Sequence, residues 1–134
     1  MWQNYRVQNA LARVVTESSR RDHIDPVLKE LHWLPVSERI KYKVALITFK
    51  KLSTQQPQYL ANLVTPYKLV RDLRSSTQHR LTSHRTNKVI GERAFSVVSK
   101  TVWNSLPSTV REVDNLRMFK SRLKTHLFKL AFCA

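Results

Sequence analysis

A single glycine in 134 residues, set against five prolines, narrows the fold more than any other feature. Sheets of short strands need tight turns, and tight turns draw on glycine's freedom at positive φ. Gly91 alone cannot supply many of them. Proline fixes φ, lacks the backbone N–H and pushes the residue before it out of the helical region, so it ends helices and is tolerated where they begin. With 42% apolar residues there is enough hydrophobic material for a core, and the length corresponds to about one domain. The expectation is a mostly α-helical single module over residues 1–134, with about five or six helices.

Periodicity places those helices. Over about residues 3 to 17, Val7, Ala10, Leu11, Val14 and Val15 fall on one stripe, with Arg6 and Arg13 off it. A polar stretch, Glu17 to His23, follows as a loop. Asp25-Pro26 has the pattern of an N-cap followed by proline at the first helical position, which predicts a short helix from Pro26 to Leu31. His32-Trp33-Leu34-Pro35 breaks the chain again. Pro35 to Leu52 is the strongest helical signal: Val36, Ile40, Val44 and Ile47 form a stripe that Ala45, Phe49 and Leu52 widen. Arg39, Lys41, Lys43, Lys50 and Lys51 lie largely beside or opposite it. Pro57 is expected to open a further short helix to about Val64, ended by Thr65-Pro66.

Residues 66–92 lose the helical period. Lys68, Arg71, Arg74, Arg80, Arg85 and Lys88 are spread there among Ser, Thr, Asn and His. This is a basic irregular segment, or one holding a short β-hairpin built from Leu69–Ser75, Arg80–His84 and Thr86–Ile90, with Gly91 as hinge or turn. From Glu92 the period returns: Ala94, Phe95, Val97, Val98, Val102 and Trp103 predict a helix ended by Asn104-Ser105-Leu106-Pro107. Pro107 to Val113 adds a turn or two. Asp114 or Asn115 caps a last helix whose Leu116, Phe119, Leu123, Leu127 and Leu130 recur at 3-4-4-3 spacing. The organisation is thus N-terminal helices (1–65), a basic loop or hairpin (66–92) and C-terminal helices (93–134).

Charge points to partners. Twenty-four Lys and Arg against nine Asp and Glu leave a formal +15, a field that attracts polyanions. Phosphate backbones are the commonest large ones; a merely solvated surface, an anionic membrane or an acidic protein are the alternatives. The best candidate contacts are Arg71, Arg74, Arg80, Arg85, Lys88 and Arg93 around the irregular segment, since guanidinium groups pair bidentately with phosphate. His79 and His84 are placed to stack on bases or donate to phosphates. Lys41 and Lys43, and Lys120 and Lys124, represent the basic faces of the helices at 39–51 and 117–129. Each of these stretches is equally readable as a wet helix face or a linker.

Catalysis finds little to stand on. The nine acids include no adjacent aspartates of a polymerase palm, and neither a phosphate-cradling glycine loop nor a nucleophile elbow is present. His23, His32, His79, His84 and His126 are scattered, and Cys133 is the lone cysteine, so neither a zinc site, a cofactor nor a disulfide partner is expected. The amino-terminal residues lack the apolar run of a signal peptide, and the longest apolar stretch, Val44 to Phe49, is too short to span a bilayer. An intracellular setting, nucleus or cytoplasm, follows as the expectation, without a membrane partner. Trp33 and Trp103, each beside a Leu-Pro pair with Pro35 and Pro107, read as structural anchors packed under the following turn more readily than as base-stacking platforms.

An ordered set of short strings resembles a known family. Val7-Gln8-Asn9-Ala10-Leu11-Ala12-Arg13, the run Arg21 to Lys43, Pro57-Gln58-Tyr59-Leu60, Leu73-Arg74-Ser75-Ser76, Arg93-Ala94-Phe95-Ser96-Val97, Trp103-Asn104-Ser105-Leu106-Pro107 and Phe119 to Phe128 look like the region downstream of the polymerase in LINE-type, non-LTR retrotransposon proteins. The resemblance covers nearly the whole chain in the right order. It departs from the family's pattern at Ser99-Lys100, where a proline is common, which predicts a more continuous helix around Trp103. The intact proteins of the family carry an endonuclease and an RNA-directed DNA polymerase. None of their catalytic motifs lies in this chain, so no catalytic residue carries over.

Together these readings imply a non-catalytic module that contacts template RNA or target DNA through Lys and Arg. The alternatives are a structural module packing its apolar faces against the thumb of the parent polyprotein's polymerase domain, or a truncated retroelement product without a function.

Overall fold

The computed structural model describes residues 2–56, 58–67, 79–82 and 89–133. The helical expectation holds. In chain order the helices are α1 (Trp2–Thr16), α2 (Ile24–Glu30), α3 (Val36–Thr54), a 3₁₀ turn (Gln58–Leu63), α4 (Val89–Glu92), α5 (Phe95–Ser105), α6 (Ser108–Arg111) and α7 (Leu116–Phe132). Among the described residues no strand forms. Extended pairing is reduced to one antiparallel bridge between Pro66 and Leu81, where the Tyr67 N–H donates to the Arg80 carbonyl at 2.9 Å and the Thr82 N–H to the Thr65 carbonyl at 3.2 Å.

Several boundaries differ from the sequence reading, each for a local reason. Leu69–Ser75 lies outside the described residues, as do Ser83 and His84. Thr86–Ile90 is not a strand where it is described, because Val89 and Ile90 open α4. Gly91 is no turn at positive φ; it sits inside α4, whose end is closed by the Arg93 and Ala94 N–H groups on the carbonyls of Ile90 and Gly91. Helix α2 starts two residues early, with His23 extended as its N-cap and no side-chain cap bond. Asp25 and Pro26 therefore lie in its first turn. Both suit that place: N–H groups there have no intrahelical partner for proline to forfeit, and the helix dipole favours a carboxylate. At α7 the predicted cap is found, the Asn115 Oδ1 accepting the Arg117 N–H at 2.8 Å. Ser99 and Lys100 lie within an unbroken α5.

Helix ends show how the chain manages with one glycine. Glu17, His32 and Gln55 all adopt φ of 54° just past α1, α2 and α3. The Ser18 N–H reaches the Arg13 carbonyl at 3.1 Å and the Trp33 N–H the Leu28 carbonyl at 2.9 Å, the six-to-one bond of a Schellman cap. The Gln55 N–H bonds the Lys51 carbonyl at 3.0 Å, the simpler left-handed cap.

The chain divides into two compact units, residues 1–42 with 124–134 and residues 43–123; α3 and α7 contribute to both. In the first, Ala12, Val27 and Leu28 form a core against which Ile24, Leu31, Trp33 and Phe132 pack. Helix α1 turns its Gln8 and Ala12 side inward, and the Gln8 Nε2 donates to the Leu34 carbonyl at 2.7 Å. The apolar stripe that marked the helix in the sequence faces solvent instead. In the second unit, Phe119 stacks between Phe49 (ring centroids 4.2 Å apart) and Trp103 (5.8 Å). Leu60, Val64, Leu81, Leu106, Val110 and Leu123 complete that core.

The stripe of α7 is buried as predicted at Phe119, Leu123 and Leu127, whereas Leu130 is exposed. On α3 the deepest residues are Ala45, Thr48 and Phe49, and Ile40 is exposed. The flank that seemed to widen the stripe is its centre.

Candidate nucleic-acid interface

Charge is unequally shared. The unit at residues 43–123 contains fifteen Lys and Arg against four Asp and Glu, a net +11; the other has nine against five, a net +4. Lys41 and Glu38 form an ion pair 2.8 Å apart, one helical turn along α3. By count alone, the four acids of the second unit cannot balance its fifteen cations.

The clearest built feature in that unit is the segment 79–82. Asn104, in the last turn of α5, treats Leu81 as a strand would: its Oδ1 accepts the Leu81 N–H and its Nδ2 donates to the Leu81 carbonyl, both at 2.9 Å. The Trp103 Nε1 donates to the His79 carbonyl at 2.8 Å. Leu81 is buried by these contacts while Arg80, its neighbour, is exposed. Alternation in an extended chain produces that pattern: one side chain goes in, the next out.

Arg80 comes close enough to Arg111, on α6, to be felt there. Burial is the main cause that pulls the Arg111 guanidinium below its ordinary pKa; the positive charge of Arg80 lowers it further, and Glu112 opposes. Arg122 reaches the same short helix from α7, its Nη1 donating to the Thr109 carbonyl at 2.8 Å. Arg80, Arg111 and Arg122 thus gather around α6. Arg122 belongs to the basic face expected at 117–129, whereas Arg111 did not stand out in the sequence as a contact. No local signal places either beside its neighbours, which lie 31 positions away for Arg111 and Arg80 and 13 for Arg122 and Thr109.

The other anticipated contacts divide as follows. Arg93, Lys43 and Lys120 are exposed in the second unit. Lys124 is exposed in the first, where Lys41 is partly spent on Glu38. Arg71, Arg74, Arg85 and Lys88 lie outside the described residues, as does His84. Lys51 has to be withdrawn from the basic face of α3: it is buried, its Nζ donates to the Val64 carbonyl, and burial lowers its pKa.

Trp103 is buried and bonded, and Trp33 is half-buried against the first core, so both pack as anchors. Pro107 is the N-cap of α6, and Pro35 precedes α3 with its carbonyl accepting the Arg39 N–H at 2.9 Å.

The histidines also separate. His32 stacks on Phe128, ring centroids 5.5 Å apart. His126 is half-buried; burial lowers its pKa, and the nearby Glu38 pulls the other way. Among the described residues no group of three His, Cys, Asp or Glu comes together, and no helix is long and apolar enough to cross a membrane. No family model matches this chain, and no curated protein or solved structure does either.

Proposed function

We propose that this chain is a non-catalytic nucleic-acid-binding module, with the unit at residues 43–123 making the principal contact to phosphate backbones. It is read as the post-polymerase region of a LINE-type retrotransposon protein, contacting template RNA or target DNA. The observation that carries the binding reading is the concentration of a net +11 in that unit, with Arg80, Lys43, Arg93 and Lys120 exposed. A polyanion releases its condensed counterions when such groups replace them, so affinity follows from charge without base recognition. The exposed Arg80 and Arg122 guanidinium groups near α6 are suited to phosphate oxygens, which can accept parallel N–H bonds from a guanidinium.

The test is a fluorescence-anisotropy titration of labelled single-stranded RNA and of duplex DNA at rising salt. Tight binding at low salt is expected, weakening on the order of a thousandfold between 50 and 200 mM for about six phosphate contacts. Replacing Arg80 and Arg93 by Gln should weaken it more than replacing Lys29 and Lys129, two exposed lysines of the other unit. Binding that ignores salt, or no binding at the lowest salt, overturns the reading.

A further inference from the structure

We propose that Tyr67 and Arg80 form a site for one unpaired nucleotide, its base stacked on the Tyr67 ring and its phosphate against the Arg80 guanidinium. This rests on the nucleic-acid reading and deepens it, naming a single strand as the form this surface takes.

Backbone pairing brings the two residues together. The bridge between Pro66 and Leu81 is antiparallel, so the next rung sets Tyr67 opposite Arg80, and the Tyr67 N–H donates to the Arg80 carbonyl at 2.9 Å. Residues opposite one another in such a pair point to the same face, with Cβ atoms about 5 Å apart. Leu81 is buried, and alternation sends Arg80 the other way, so the face shared with Tyr67 is the outer one. Tyr67 is 52% exposed there, and Arg80 is exposed with it.

The backbone beneath them is held. Asn104 bonds both the N–H and the carbonyl of Leu81 at 2.9 Å. The Trp103 Nε1 donates to the carbonyl of His79, whose φ is 46°, at 2.8 Å. On the other side of the bridge the Thr82 N–H closes on the Thr65 carbonyl at 3.2 Å. Both stretches are therefore fixed before a ligand arrives, and binding does not have to supply the cost of ordering them.

Chemistry selects the occupant. The face of an aromatic ring takes any base by stacking, and a guanidinium takes phosphate; together they hold a single strand without regard to its sequence. In a duplex the base faces are already stacked on one another, so the ring would meet only edges and sugars. An acidic peptide would satisfy Arg80 and leave the ring uncovered. The net +11 of this unit supplies the long-range attraction to phosphate, which salt screens. Tyr67 adds a contact that depends on the presence of bases.

The experiment titrates the full chain against two labelled strands of about twelve nucleotides, oligothymidylate and an abasic strand with the same number of phosphates. The thymidylate strand should bind at least about fivefold more tightly, the gain expected of one base stacked on an aromatic ring. That gap should persist as salt rises, while both affinities fall. Tyr67→Leu should close the gap and Tyr67→Phe should keep it. Circular dichroism should show both variants folded, since the side chain is exposed. On duplex DNA of the same length, Tyr67→Leu should cost less affinity than it costs on the thymidylate strand. Equal binding of the two strands by the unaltered chain overturns the proposal and leaves the phosphate contact standing. So does a gap that survives Tyr67→Leu, or an equal loss on duplex, which would make Tyr67 a structural residue. If neither strand binds at low salt, the nucleic-acid reading falls and this site falls with it.

Discussion

Glu17, His32 and Gln55 occupy positions where glycine would be free of strain. A residue with a Cβ in the left-handed region costs about 1 kcal/mol relative to glycine, and these three are held there by their capping bonds. Gln55 is exposed, so Gln55→Gly should gain about 1 kcal/mol, read as a higher urea midpoint with an unchanged slope. An unchanged or lower midpoint would show that this cap is not strained.

His126 carries a pH dependence of the opposite kind. Its folded pKa lies below the unfolded value of about 6.5, because burial disfavours the imidazolium more than Glu38 favours it. Between the two values the unfolded chain binds the extra proton, so stability present above pH 6.5 is lost as pH falls toward the folded pKa. Thermal melts from pH 7.5 down to 5.5 should record that loss, and His126→Gln should flatten it. Neither effect could be read in the sequence. A glutamine at a helix end and a histidine one turn from Arg122 look like surface residues until the backbone and its neighbours are placed.

At the scale of elements, the helices announced themselves and their partners did not. Prolines 35 and 107, Asn115 and the 4-4 run Phe119-Leu123-Leu127 mark boundaries and a core face with local information only. The segment 79–82 has no such mark. Its conformation is borrowed from α5, through two bonds with Asn104 and one from Trp103, and from the backbone of residues 65–67 across the Pro66–Leu81 bridge.

Asn104→Ala leaves the buried Leu81 amide and carbonyl without those partners and should cost about 2 kcal/mol. Hydrogen exchange at the Leu81 amide should rise more than at amides of α1; equal protection in both proteins would contradict the account. Trp103→Phe keeps the ring beside Phe119 and removes one bond, so a smaller loss of about 1 kcal/mol is expected in the same measurement.

The whole molecule presents a mismatch between pattern and use. Helix α1 has a regular apolar stripe, yet its polar-looking side, Gln8 and Ala12, is the one that packs. Conversely, cations sit inside: Lys51, Lys100 and Arg111 are buried in the unit with the larger charge. Arg80 raises the repulsion felt by Arg111, so Arg80→Gln should leave stability unchanged or higher while lowering nucleic-acid affinity. A drop in both would assign Arg80 a structural role. Measuring chemical denaturation and RNA titration on the same variant separates the two outcomes.

By itself the sequence determined a helical chain, because one glycine and five prolines leave few turns, and apolar residues recur at the helical period. The formal +15, on which the proposal of a polyanionic partner rests, is likewise a property of the sequence. Tertiary structure alone decided which side of α1 looks inward, that Lys51 is buried on a carbonyl, and that Arg80 lies within electrostatic reach of Arg111. Periodicity reports that a face is apolar but not what it faces. Burial of a charge and nearness of two guanidinium groups are properties of residues far apart in the chain, and no local pattern encodes them.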